Sequence, residues 1–141
     1  MNEHLDNGSV EVFGPQFRAG DVLWYWKKGF PTIQHYALVV RPNVVLENLP
    51  GVGERLVPLD EFLARCQIFR GQRAGWNREL ESRLQAILRN PKNYDLVTRN
   101  CQATVNEVIL GRAISPQVNS AVGMAALIGF VLLLVSASNA A

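Results

Sequence analysis

Charge stops at Arg112. The rest of the chain carries no Asp, Glu, Lys or Arg, and its run from Ala121 to Ala137, AVGMAALIGFVLLLVSA, is apolar on every side of a helix. Such a run falls at the short end of the ~17–25 residues that span a bilayer, and Val118 to Ser120 could lengthen it. A helix this apolar all round would otherwise need a large protein to bury it, which a chain of 141 residues does not supply. The expectation is a single-pass C-terminal transmembrane helix, residues 118–141. Arg99 and Arg112 precede the run and Ser138 to Ala141 are uncharged, so the positive-inside tendency puts the preceding domain in the cytoplasm. Gly123, Ala126 and Gly129 form a small-residue stripe that could pack on a second helix, an opening for self-association through the anchor.

Length allows one domain ahead of the anchor, and no Pro-, Gly- or Ser-rich linker divides it. A formal net charge of +2 with scattered Lys and Arg argues against nucleic acid as a partner. The opening MNEHLDNGSVEVFG has no basic segment followed by an apolar run. Residues 1–18 therefore read as a mobile N-terminal segment, not a secretory signal, and the two cysteines, Cys66 and Cys101, as free thiols in a reducing compartment. A Cys66–Cys101 disulfide stays open. With His4 and His35 the only histidines, no zinc spacing exists, and neither metal nor cofactor is expected. Cys66 reads as a buried thiol in a strand-like run. Trp24 and Trp26 read as core, with contact of an aromatic near the Lys27–Pro31 loop to lipid headgroups as the other reading, and Arg70, Arg73 and Arg78 read as solvated charges, with headgroup phosphate contact as the lesser reading.

Strand signals come first and helix signals after. Asp21 to Trp26, DVLWYW, alternates around aromatic and β-branched residues, and Lys27 to Pro31 follows as a loop. His35 to Val40 and Val44 to Asn48 are joined by Arg41-Pro42-Asn43 and read as a hairpin. Arg55 to Pro58 and Cys66 to Arg70 are weaker strands, with a short helix from Leu59 to Arg65 capped by Asp60. Leu80, Leu84, Ile87 and Leu88 recur at helical spacing in Asn77 to Arg89, which Asn90-Pro91 ends. The fold class is α+β, an antiparallel sheet packed on helices.

Asn100-Cys101 opens a further helical pattern, NCQATVNEVILG. A thiol in the first turn of a helix feels the positive end of the backbone dipoles, which favours its thiolate. If the hairpin register centres on Arg41, Glu47 stands directly across from His35 on one face. A carboxylate on one ring nitrogen would leave the other free to take a proton from Cys101. By spacing alone, such a pair is more often a core His and an edge carboxylate.

Four segments, GDVLWYW, QHYALVV, VVLEN and YDLVTRNCQATVNEVILG, resemble the lecithin:retinol acyltransferase family. The likeness is greatest to its small phospholipase A/acyltransferase members, within the NlpC-type papain-like superfamily. Gly20-Asp21, His35-Tyr36-Ala37, Glu47, Asn100-Cys101, Val105-Asn106 and Gly111 fall on the family's motif positions, and the resemblance covers roughly Ala19 to Val118. It implies a permuted papain-like fold and a catalytic domain over residues 19–117. It also implies a membrane-anchored thiol phospholipase A or acyltransferase. Cys101 would be the nucleophile, His35 the base and Glu47 its orienting group, with membrane phospholipids as substrate and water, an amine or an alcohol as acyl acceptor. Two departures stand out: Glu47 where the family commonly has His, and Gln102-Ala103-Thr104 where Glu-His-Phe is usual. Similar divergence marks the related 2A proteins of certain picornaviruses. A catalytically silent membrane adaptor and a peptide amide hydrolase therefore remain as other expectations.

Overall fold

The computed structural model describes the backbone of residues 17–65 and 67–139, and the side chains of these except at 31, 32, 131 and 133–139. His4, Cys66 and the segment before Phe17 lie outside the described residues. Phe17 itself is buried in the core.

Alternating aromatic and β-branched residues build five antiparallel strands, β1 (Asp21–Lys27), β2 (Phe30–Arg41), β3 (Val44–Leu49), β4 (Gly53–Pro58) and β5 (Phe69–Arg73), in the order β4-β3-β2-β1-β5. The expected loop at Lys27–Pro31 shrinks to a turn, with strand resuming at Phe30. The last strand lies further along the chain than Cys66 to Arg70. Period-two alternation fills both faces. On one, Leu23, Ala37, Val39, Val45 and Val57 meet Leu59 and Phe62 of α1 (Leu59–Leu63). On the other, Leu38, Val40 and Leu46 meet Leu80, Leu84 and Ile87 of α2 (Arg78–Arg89) and Val105 and Val108 of α3 (Cys101–Leu110). The class is α+β, with helices on an antiparallel sheet.

Local chemistry sets the joints. Gly20 has φ 98°, and a Cβ there would lie 1.9 Å from the carbonyl oxygen of Ala74, so glycine alone lets β1 start against that segment. Asp21, fully buried, accepts hydrogen bonds from Arg18 N (2.9 Å) and from the Arg73 guanidinium. Arg73 is thus an ion-pair partner as well as a surface charge. Asn77 caps α2, accepting from the backbone N–H of Glu79 and Leu80. Asp60 does not cap α1: the helix follows Pro58 without a side-chain cap, and proline's fixed φ suits that entry.

The final helix, α4, runs over Pro116–Asn139. Along it Val122, Met124, Leu127, Ile128, Phe130 and Leu132 are exposed, so it is not the buried core helix that offered the other reading of this run. Among the described residues no helix is long and apolar enough to cross a membrane. The uncharged run continues past Leu132 into side chains outside that set.

Candidate active site

Strands β2 and β3 part where the site forms. Their pairing reaches Ala37↔Glu47. Beyond it β3 continues with β4 alone, Asn48↔Glu54 and Leu49↔Gly53, while Gln34 to Tyr36 stay paired only with β1. The edge of β2 so released is met by the start of α3 and the first turn of α4. The Sγ–H of Cys101 donates to the carbonyl of Gln34 at 3.8 Å, the backbone N–H of Tyr36 faces the same sulfur, and the N–H of Gln34 donates to Oε1 of Gln117 at 3.0 Å. Asn48, at the diverging end of β3, donates to the carbonyl of Arg99 (2.8 Å) and to Oγ1 of Thr104 (3.0 Å). Backbone groups that would be orphaned by the splayed sheet thus find partners at the site.

Asn100 makes Cys101 the first helical residue. Its side chain accepts from Ala103 N (3.0 Å) and donates to Leu96 O (2.9 Å), and Gly111 closes the helix in the left-handed region at φ 70°. Cys101 is 3% exposed. Burial pushes its thiol pKa up, but the nearby His35 imidazole, the Tyr36 N–H and the charge of Lys27 outweigh that and hold it below the ordinary thiol value. His35 shows the counterpart. Burial lowers its pKa, and the opposing influence of Cys101 and Glu47 leaves it above the ordinary imidazole value. The buried Nδ1 of His35 has no hydrogen-bond partner, and the Sγ–H is directed at Gln34. Side-chain interaction and charge together couple thiol and ring, lowering the one pKa and raising the other.

Glu47 does reach His35, by a different register from the expected one. A bulge between Val39 and Arg41 sets Glu47 opposite Ala37, two residues along β2 from His35, so the two side chains share a face as diagonal neighbours. Oε2 of Glu47 lies 3.2 Å from Nε2 of His35, and both side chains are fully buried. A carboxylate at Nε2 accepts the ring N–H there and makes Nδ1 the lone-pair nitrogen. The ring is packed by Tyr25 (centroids 5.0 Å) and Phe62 (6.2 Å).

Two arginines that the sequence reading passed over complete the carboxylate's surroundings. Arg55 donates from Nε (3.0 Å) and Nη2 (2.9 Å) to Oε1, and Arg65 from Nη1 to Oε2 (2.6 Å) and Nη2 to Oε1 (3.0 Å). Burial raises the Glu47 pKa, but these bonds and His35 bring it to about 2. Arg55 faces Glu47 directly across β3 and β4, so a registered hairpin around Gly51 would have revealed it. Arg65 follows α1 and left no such signal.

Each residue of the departure Gln102-Ala103-Thr104 has a structural task. Oε1 of Gln102 accepts from Ser115 Oγ (2.7 Å) and from Gln117 N (3.1 Å), joining α3 to α4. Ala103 is packed at 1% exposure. Thr104 donates to Oε1 of buried Glu54 (2.9 Å), which also pairs with Arg99, and Arg99 in turn pairs with Glu107. Among the described residues no group of His, Cys, Asp and Glu could hold a metal ion. Trp26 departs from the core placement expected of it, being 45% exposed. Comparison with known protein families, with curated proteins and with solved structures finds no match.

Proposed function

We propose that the chain is a membrane-anchored, cysteine-dependent phospholipase A or acyltransferase of the permuted papain-like type that its motifs resemble. One observation carries the reading: a buried imidazole held at Nε2 by an ionised carboxylate, with Nδ1 unpartnered, beside a thiol at the start of a helix. A buried nitrogen left without a partner is costly, and use by a reacting group is one reason for a fold to keep it. In the reaction, Nδ1 of His35 takes the Cys101 proton as Sγ attacks the carbonyl carbon of a glycerophospholipid ester. The tetrahedral oxyanion sits against the backbone N–H of Cys101. Collapse expels the lysolipid alkoxide, which receives the proton from the His35 imidazolium, and the acyl group remains as a thioester. Water then gives a free fatty acid, whereas an amine or alcohol gives a transferred acyl chain.

The α4 helix would hold this domain on the cytoplasmic leaflet as a membrane anchor, a role supported by its exposed apolar side chains and by its lack of charged residues. Incubating full-length protein with mixed phospholipid vesicles and following lysolipid and fatty-acid release tests the enzyme. Turnover that disappears in Cys101→Ala supports it. Equal release by both proteins refutes it.

A second reading, a silent membrane adaptor of the same fold, is favoured by one observation: Cys101 is 3% exposed and its Sγ–H is directed at the carbonyl of Gln34. Absence of any turnover while the thiol still reacts with small alkylating agents would select it.

A further inference from the structure

The tip of the β1–β2 hairpin carries two exposed aromatic residues flanking two lysines: Trp26 at 45% exposure, Lys27, Lys28 and Phe30 at 59%. Trp24, by contrast, is stacked on Phe69 (centroids 4.4 Å), so the aromatic pair splits into one packed ring and one presented ring. Lys27 reaches across to the loop before α3, its Nζ 5.8 Å from the Tyr94 ring centroid. That loop presents Leu96 and Val97 at 61% and 59% exposure. No acidic residue lies between Asp21 and Glu47, and Asp95 in the loop is occupied by the N–H groups of Val97 and Thr98. The patch is apolar and positive.

Its place in the fold narrows what it meets. Trp26 pairs with Gln34 across the strands, Gln34 is bonded to Gln117, and α4 with its exposed apolar side chains leaves the domain from there. The same edge of β2 holds Cys101, and Lys27 is near enough to that thiol to favour its thiolate. Aromatic residues beside lysines are the chemistry of a headgroup boundary, the rings entering the apolar side and the ammonium groups meeting lipid phosphates. A protein partner would need no such alternation of ring and cation in continuity with an uncharged helix.

We propose that the β1–β2 tip, with the 94–97 loop beside it, is a docking surface for an anionic phospholipid bilayer, seating Trp26 and Phe30 at the headgroup–acyl boundary and Lys27 and Lys28 on lipid phosphates. This rests on the phospholipid reading above and deepens it: α4 alone would tether the domain, and the tip fixes which face it turns to the leaflet. Each Lys near an anionic surface adds attraction that reversal of its charge removes.

The test uses the full chain in vesicles containing lipids brominated near the top of the acyl chain, with Trp fluorescence as readout. Quenching is expected in vesicles rich in phosphatidylserine, with loss of most of it in Trp26→Phe and its return when Phe30→Trp is added to that variant. Lys28→Glu should weaken quenching in anionic vesicles and leave it unchanged in zwitterionic ones. Quenching that persists in Trp26→Phe, or that ignores Lys28→Glu in anionic vesicles, overturns the surface. The readout involves no turnover, so a chain that quenches in this pattern but releases no fatty acid refutes the enzyme and keeps the docking surface. A chain that hydrolyses lipid without Trp26-dependent quenching does the reverse.

Discussion

Oε2 of Glu47 lies 3.2 Å from Nε2 of His35 while both oxygens of the same carboxylate are gripped by Arg55 and Arg65. The carboxylate is therefore ionised at neutral pH, and it shares its charge between a ring and two guanidinium groups. Its pKa falls from 4.5 to about 2 on folding. A group depressed in this way stabilises the fold fully above 4.5, and that contribution is lost as pH drops toward 2. Other carboxylates, Asp21 and Glu81, are lowered as well, so the diagnostic quantity is a difference. The denaturant midpoint of the parent should fall more steeply between pH 4.5 and pH 2 than that of Glu47→Gln.

At neutral pH, Glu47→Gln leaves two arginines facing an uncharged amide. Breaking a fully buried pair costs ~3–5 kcal/mol. Here Arg55 and Arg65 retain 39% and 24% side-chain exposure, so water screens them and a loss of about 2 kcal/mol is expected. Urea unfolding measures it. The amide can still orient the ring but cannot stabilise imidazolium, so turnover should fall partway, short of the loss in His35→Ala.

Thiol titration isolates the pairing of Cys101 with His35. The iodoacetamide rate against pH should inflect below the ordinary thiol pKa in the parent and shift upward in His35→Ala, because the ring that favours the thiolate is gone. Cys101→Ser and Cys101→Ala should abolish lipid turnover with little change in circular dichroism. An unmoved titration in His35→Ala would remove the pairing.

Thr104 ties α3 to β3 and β4 through Asn48 and Glu54. Thr104→Val keeps the shape and deletes the hydroxyl, leaving buried Glu54 and Asn48 each short of a partner, at a cost of about 1–3 kcal/mol. A melting temperature equal to the parent's would contradict this.

Much of this architecture was legible because it rests on short-range chemistry. The strand alternation in DVLWYW and HYALVV and the helix starts at Asn77 and Asn100 are each set by neighbours in sequence. The register of β2 on β3 was not legible. The turn pairs Arg41 with Val44 and a one-residue bulge follows, which together offset Glu47 by two residues from His35, and the even offset keeps both on one face. Arg65 and Gln117 were hidden for another reason. Their partners, Glu47 and Gln34, are distant in sequence, and surface-type residues give no periodic signal for a contact made by tertiary placement.

The bonds joining Gln102 to Ser115 and Gln117, and Gln34 to Gln117, make the first turn of α4 part of the α+β domain. Truncation after Gln117 keeps these contacts and should yield a soluble protein that hydrolyses dispersed short-chain lipid but not bilayers. Truncation after Ile114 removes them and should also raise the thiol pKa. Alkaline carbonate extraction of the full-length chain checks the anchor: retention in the pellet is expected, and release into the supernatant would overturn it.

The central claim is that Cys101 carries an acyl group from phospholipid during turnover. Intact-mass analysis of the full-length protein, quenched in acid after brief incubation with mixed phospholipids, reads that step directly. The expected result is a fatty-acyl mass increment that maps to the Cys101 peptide, is released by neutral hydroxylamine and is missing in Cys101→Ala. An unmodified Cys101 in a sample that is releasing fatty acid, or an increment that persists in Cys101→Ala, would contradict the account.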